Sequence, residues 1–350
     1  MNELDSTGAA ITVPEYPAVT FVVPCHNEEL VVEGTAAALL ALIEQQRDIG
    51  RCGPRSLVLF VDDGSTDRTW ALIERLAQAY PGRVAGLLLS RNVGHQHALL
   101  AGLTIAPGDV LISIDADLQD DLTVIPQMLD HYQQGHDIVY GVRGLRASDT
   151  RLKRMTAAGF YALMRRLGVD VIDNHADYRL MSRRAVEILR QYREVNLFLR
   201  GIVRLIGLRS AQVVYDRRER TAGSTKYSLS RMGALALDGI TSFSAVPLRV
   251  ISVLGLLTSL FALAVSVWVL IVAVTNPSAV PGWASTVLPI TFIGGVQILS
   301  IGVLGEYIGK IYMETKRRPR FIVERAVGLP LPGTSAVVAG DDADDDRQRR

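Results

Sequence analysis

The stretch VLISIDADLQDD, residues 110–121, is an apolar run that ends in acid. Its front half reads as a short buried strand. Its tip crowds Asp115, Asp117, Asp120 and Asp121 into seven positions. Carboxylates this close repel one another unless a cation or a raised pKa intervenes. Asp115 and Asp117 sit two apart, so on a continuing strand they share a face. Hard oxygen ligands suit Mg²⁺ or Mn²⁺. Mg²⁺ keeps waters and takes one or two carboxylates plus substrate phosphates. Asp115 and Asp117, with Gln119 as a further oxygen donor, therefore fit a clamp for a metal and a diphosphate. The competing reading is a solvated acidic turn. Asp120 and Asp121 are expected to cap the helix that starts near Leu122.

Around this strand the first 215 or so residues read as one α/β unit. VTFVVP (19–24), SLVLFV (56–61), RVAGLLL (83–89) and DIVYG (137–141) are further apolar strand candidates. Helical segments are expected at about 29–46 and 66–79, the second opened by the capping-type residues Ser65 and Thr66. Strands alternating with helices imply βαβ units and a mostly parallel sheet. Ligands of such sheets bind beyond the carboxyl ends of the strands. That rule gathers PCHNEE, DDGSTD and DADLQ on one rim. A carboxylate in DDGSTD can accept from the imide N–H of uracil, or from guanine. Asn27, Glu28 and Glu29 share the rim.

Val250 to Gly305 contains no charged residue. That leaves room for two spans of about 20 residues, the length that crosses hydrocarbon. NPSAVPGW, residues 276–283, breaks them into a hairpin. Arg249 precedes the pair, and Lys310, Lys316, Arg317, Arg318 and Arg320 follow it. The positive-inside rule then places both flanks, and both termini, in the cytoplasm. The expected organisation is a flexible 1–16, a catalytic domain over 17–226, a juxtamembrane amphipathic helix over 227–247, two transmembrane helices within 248–312, and a largely disordered tail, 313–350. Residues 183–210 are a further amphipathic stretch carrying Arg200, Arg204 and Arg209. A buried hairpin in a soluble core is the alternative for the apolar segment.

Composition narrows the class. A net charge of +1 over 350 residues argues against nucleic-acid binding. Two cysteines, Cys25 and Cys52, cannot form a disulfide framework, which points to a reducing compartment. The first sixteen residues show no apolar core with basic flanks, so no cleaved signal peptide is expected. His95 and His97 form His-x-His, but no third ligand stands at zinc spacing.

FVVPCHNEE, FVDDGSTDRT, SRNVGHQHALLAGL, ISIDADLQDDL, IVYGVR, DYRLMSRRAV and RTAGSTKYSLSRM occur in this order. Together they resemble the inverting glycosyltransferase family 2 with its GT-A (Rossmann-like) fold. More narrowly, they resemble its polyprenyl-phosphate branch, the dolichol-phosphate mannose synthase-like and bactoprenol glucosyltransferase proteins. The resemblance spans about 19–320 and implies a nucleotide-sugar donor, a divalent metal, a polyprenyl-phosphate acceptor, a cell-membrane location among lipids, and a homo-oligomer, a tetramer in that branch. UDP-glucose is the donor it favours; GDP-mannose and amino-sugar nucleotides stay open. Carried over by motif, Pro24, Asn27 and Glu28 line the nucleotide pocket. Asp62 and Asp63 face base and ribose, and Asp115, Asp117 and Gln119 hold the metal. Arg143, Arg151, Lys153 and Arg154 meet phosphate, Asp177 sits near the reacting centre, and Lys226 and Tyr227 close the site. Cys25-His26 departs from the family, which commonly carries an aromatic before Asn-Glu.

A phosphate monoester acceptor is already anionic at neutral pH and needs no strong general base. It needs cations to hold it in line with the anomeric carbon, which Arg143 and the 151–154 cluster supply. Asp177 is expected to orient an arginine or the sugar. Two rivals remain. A processive polysaccharide synthase would need a Gln-x-x-Arg-Trp motif, yet Trp70, Trp268 and Trp283 do not follow an arginine. A non-catalytic nucleotide-binding membrane protein would have no use for the acidic triad and phosphate-binding basics.

Overall fold

The computed structural model describes residues 16–144, 175–194, 197, 199–216, 246–275 and 283–329. They fall into two compact units: the described residues up to 216 together with 317–329, and those of 246–316.

In the first unit, β1 (Val19–Cys25), α1 (Val32–Asp48), β2 (Leu57–Asp62), α2 (Thr69–Ala79), β3 (Val84–Leu89), α3 (His95–Ile105) and β4 (Val110–Ser113) alternate strictly. A 3₁₀ turn (Leu122–Val124) leads into α4 (Ile125–Gln133), followed by β5 (Ile138–Arg143). Then come β6 (His175–Ser182), α5 (Arg183–Gln191), α6 (Leu199–Leu205) and β7 (Ser210–Tyr215). β1, β2 and β4 are buried along their whole length. Strands covered on both faces read as continuous apolar runs rather than alternating ones, which is why these segments stand out in the sequence.

The eight-stranded sheet runs β7-β5-β6-β4-β1-β2-β3-β8, with β8 spanning Val323–Val327. β4, β1, β2 and β3 are mutually parallel, and β7 is parallel to β5. β6 lies antiparallel between β4 and β5. The carboxyl ends of β1, β2, β4, β5 and β7 therefore share one rim with the amino end of β6. That reversal brings Asp177 beside the acidic tip.

β8 comes from residues grouped with the tail in the sequence. It pairs antiparallel with β3 and closes that edge of the sheet. Phe321 and Val323 are buried, Ser90 N donates to Ile322 O at 3.0 Å, and Arg320 Nη1 donates to Tyr192 O at 2.9 Å. Charged residues face solvent along a short strand, the usual way of blunting a sheet edge.

The second unit holds α7 (Val246–Thr275) and α8 (Trp283–Thr315), which pack on each other. Among the described residues one segment, Phe292–Thr315, is long and apolar enough to cross a membrane by length and composition. Its large side chains, such as Ile298, Leu299 and Ile301, are exposed. The helix expected over 227–247 lies outside the described residues up to residue 245, as do Arg151, Lys153, Arg154, Lys226 and Tyr227.

Cys25 and Cys52 are free and buried, and burial raises both thiols above their ordinary value. Neither should react with iodoacetamide in the native protein at pH 8, and both should react in denaturant; mass spectrometry reads the difference. Replacing Phe321 by Ala should cost roughly 3 kcal/mol of unfolding free energy, seen as a lower urea midpoint.

Candidate active site

The acidic tip is a tight turn held from below. Thr35 on α1 donates its hydroxyl to Ala116 O at 2.5 Å. Ala116 points into the core, which leaves Asp115 and Asp117 half-buried on the outer side. Leu118 takes a left-handed φ of 45°, a conformation that costs a non-glycine residue on the order of 1 kcal/mol and tends to mark functional turns. The turn folds Gln119 back, so that its Nε2 donates to Asp117 Oδ2 at 2.6 Å. Asp121 caps the following 3₁₀ turn by accepting from Thr123 N at 3.1 Å. Asp120 does not share that capping role: it is 2% exposed and accepts from Arg143 Nη2 at 3.2 Å and from the Tyr215 hydroxyl.

Asp177 lies where β6 begins, across from the end of β4. Ser113 donates its hydroxyl to the Asp177 carbonyl at 2.5 Å. The Asp177 carboxylate binds two guanidinium groups. Arg179 Nη2 donates to Oδ1, and Arg200 Nη2, from α6, donates to Oδ2 at 3.2 Å. His95, the first residue of α3, places Nε2 3.7 Å from both Asp115 Oδ1 and Asp177 Oδ2. Burial alone would raise the Asp177 carboxyl, but His95, Arg200 and Arg179 outweigh it and hold it well below the usual carboxylate range. Asp115 goes the other way. Burial among Asp120, Asp177 and Asp117 pushes it up, with His95 only partly opposing. Partial burial disfavours the charged imidazole of His95, yet Asp177 and Asp115 together lift it above its ordinary value.

The loops after β1 and β2 interlock on the same rim. Asn27, at φ 56°, donates its N–H to Ser65 Oγ at 2.9 Å, and its side-chain oxygen accepts from Thr66 N at 2.8 Å. Glu28 N donates to Thr69 Oγ1 at 2.9 Å. Asp63 accepts from Val93 N at 2.7 Å and Gly94 N at 2.9 Å, and so fixes the entry of α3 and with it His95. Gly64 makes this possible: at φ +63°, its place would put a Cβ 2.7 Å from Arg91 C and Asn92 N. Asp62 is fully buried; Oδ1 accepts from Ser65 N at 2.7 Å, while Oδ2 has no partner among the described residues. Pro24 is buried opposite Val61. Asp62 and Asp63 thus brace the pocket wall from inside.

Residues 20–189 match the family model described as glycosyl transferase family 2. An uncharacterized glycosyltransferase of Bacillus subtilis, YkoT, is 48% identical over 310 residues, covering 88% of this chain and 91% of the relative. The chain belongs to glycosyl transferase family 2. Another family relative, the bactoprenol glucosyl transferase of Shigella phage SfX, is 41% identical over 308 residues, covering 87% of this chain and 98% of that protein. Among solved structures, the mannosyltransferase PcManGT from Pyrobaculum calidifontis in complex with GDP-Man and Mn²⁺ is 20% identical, with a TM-score of 0.44, over 65% of this chain and 64% of that one. The sheet of this glycosyltransferase, parallel over β4, β1, β2 and β3 with the three loop motifs on its carboxyl rim, is of the expected GT-A type.

Structure brings to the candidate site residues that single motifs do not show there: His95, Arg179, Arg200, Asp120 and Tyr215. Arg179 had a signal, since it stands two residues after Asp177 on one strand and so shares its face. Arg200 lay in a stretch that reads as an amphipathic helix, and nothing local ties it to Asp177.

Replacing Asp177 by Asn should strand the buried Arg179 charge and cost about 3–5 kcal/mol of stability, measured by urea unfolding. The pH dependence has a definite sign. The Asp177 carboxyl titrates lower in the folded than in the unfolded chain, where its pKa is about 3.9. Its stabilisation is therefore present above about pH 4 and is lost as pH falls through the folded value. The Asn variant should lack that part of the acid-side loss.

Proposed function

We propose that this glycosyltransferase is membrane-anchored and inverting, and moves a sugar from a nucleotide-sugar donor, UDP-glucose first, to polyprenyl phosphate on the cytoplasmic face. The observation that carries this reading is the state of Asp177. Both its oxygens bind guanidinium groups and it is held ionised at low pKa. A general base works best with a pKa near the working pH, so Asp177 is poorly suited to deprotonate a sugar hydroxyl. An acceptor that arrives already ionised needs no such base. A phosphate monoester is one, and the bactoprenol glucosyl transferases are named for activity on a lipid of this kind. The arginines suit an anion: the partly exposed Arg143 and Arg200 stand near Asp115 or Asp120 on the rim. The charge-free stretch from Val250 to Gly305, and the long apolar segment Phe292–Thr315 that overlaps its end, support an anchor in the membrane.

A metal fits as a shared ligand rather than in a protein cage. No group of three or more His, Cys, Asp or Glu arranged for a metal occurs among the described residues. Asp115 and Asp117 provide two carboxylates, both half-buried on the outer side of the turn after β4. Mg²⁺ or Mn²⁺ would be held by this pair near Gln119, with donor phosphates completing the shell. When bound, the ion neutralises charge on the departing nucleoside diphosphate. The chain's own residues do the rest. Asp63 and Asn27 hold the nucleotide loops, Asp62 braces them from inside, and Arg143 orients the acceptor phosphate.

Detergent-solubilised protein given UDP-glucose, undecaprenyl phosphate and Mn²⁺ should yield a lipid heavier by one hexose, with EDTA abolishing the product. Asp117→Asn and Arg143→Ala should each lower transfer by about 10²–10³-fold without loss of the folded state by circular dichroism. Sugar incorporated into glycan with no consumption of lipid phosphate would favour a polysaccharide synthase instead.

A further inference from the structure

Arg143 does not stand alone at the rim. It ends β5, and its register partner on parallel β7 is Tyr215. Parallel pairing sets the two side chains abreast. Arg143 Nε donates to the Tyr215 hydroxyl oxygen at 3.3 Å, and Nη2 donates to Asp120 Oδ1 at 3.2 Å. Tyr215 closes the ring by donating to the same Asp120 oxygen. Tyr215 is 3% exposed and Asp120 2%. A buried carboxylate is tolerated only when paired and hydrogen-bonded, so each member of the ring needs the other two.

The ring is itself held. Tyr178 meets Tyr215 edge-on, with centroids 5.3 Å apart and planes at 90°, and donates its hydroxyl to Asp121 O at 3.1 Å. The Tyr178 ring sits where a Cβ on Gly141 would be, 2.6 Å from its Cδ1. The glycine of IVYGVR thus makes room for the tyrosine that steadies Tyr215. Of the five N–H bonds of the guanidinium, those on Nη1 have no partner among the described residues, and the side chain is 29% exposed. One edge of Arg143 is fixed and the other is open.

We propose that Asp120 and Tyr215 are positioning residues that lock the Arg143 guanidinium with its open edge toward the acceptor phosphate. This deepens the reading of Arg143 as an acceptor ligand and rests on it. An arginine fixed before the substrate arrives offers its fork in the geometry that a phosphate accepts, and loses less side-chain freedom on binding. Asp120 and Tyr215 touch no substrate; they act through Arg143.

The test is a double-substitution cycle. With undecaprenyl phosphate, UDP-glucose and Mn²⁺, Asp120→Asn and Tyr215→Phe should each raise the acceptor KM on the order of 10-fold, as outer-shell substitutions commonly do. The Kd for Mn·UDP should not move. Placed on an Arg143→Ala background, the same changes should add nothing, since their effect runs through the missing guanidinium. Phenylglyoxal labelling followed by peptide mass spectrometry reads the linkage without substrate: Arg143 should be modified several-fold faster in both variants than in the wild type. Tyr215→Phe removes a single hydroxyl and guards against a variant that fails to fold. Losses that add to those of Arg143→Ala, a weakened Mn·UDP complex with unchanged acceptor KM, or equal labelling rates would each overturn the proposal. A wild-type protein with slow labelling, and variants with fast, that transfers nothing to undecaprenyl phosphate would overturn the acceptor reading instead.

Discussion

Buried carboxylates must be answered by positive or donor groups, and the rim of this sheet is organised around that need. Each aspartate there finds a different answer. Asp63 takes two backbone N–H groups, Asp177 takes two guanidiniums with His95 nearby, and Asp120 takes an arginine and a tyrosine hydroxyl. Asp115 is less well answered: burial and the carboxylates beside it push it up, and His95 opposes them only in part. An uneven distribution of partners of this kind is what makes a site: satisfied groups set geometry, and the under-compensated one invites a ligand.

The topology makes these pairings possible. A purely parallel sheet would present only carboxyl ends at the rim, each followed by a loop to a helix. The reversed β6 instead feeds its first residues into the gap between the ends of β4 and β5. Asp177 and Arg179 arrive on a rigid strand, not on a loop, and Ser113 ties that strand to the tip of β4. The parallel pair β5 and β7 then supplies the neighbouring guanidinium and phenol in register. Sites built on strands hold their side chains more tightly than sites on loops.

Much of this is legible in the amino-acid order, and the exceptions have physical causes. The five strands from 19 to 143 announce themselves as apolar runs, and DDGSTD and DADLQ as acid-rich turns after them. β6 hides because its sequence, HADYRLMS, puts Asp177 and Arg179 side by side on one buried face; a buried arginine in a strand runs against the usual composition. β8, VERAV, hides because short charged edges look like loop. Asp120 looks like a helix cap because Asp121 next to it is one, while its true partner, Tyr215, is 95 residues away. Local spacing can point to acids that gather, but not to distant bases that answer them.

The last strand bears on how this protein comes into being. β8 is made after both long apolar helices, yet it completes the sheet of the unit made before them. During synthesis the outer edge of β3, which ends at Leu89, must wait open until β8, which begins at Val323, leaves the ribosome. The nascent sheet therefore passes through a stage with an unpaired edge at the very time its most hydrophobic segments emerge. Until β8 arrives, that open edge offers unpaired backbone groups to any neighbouring strand.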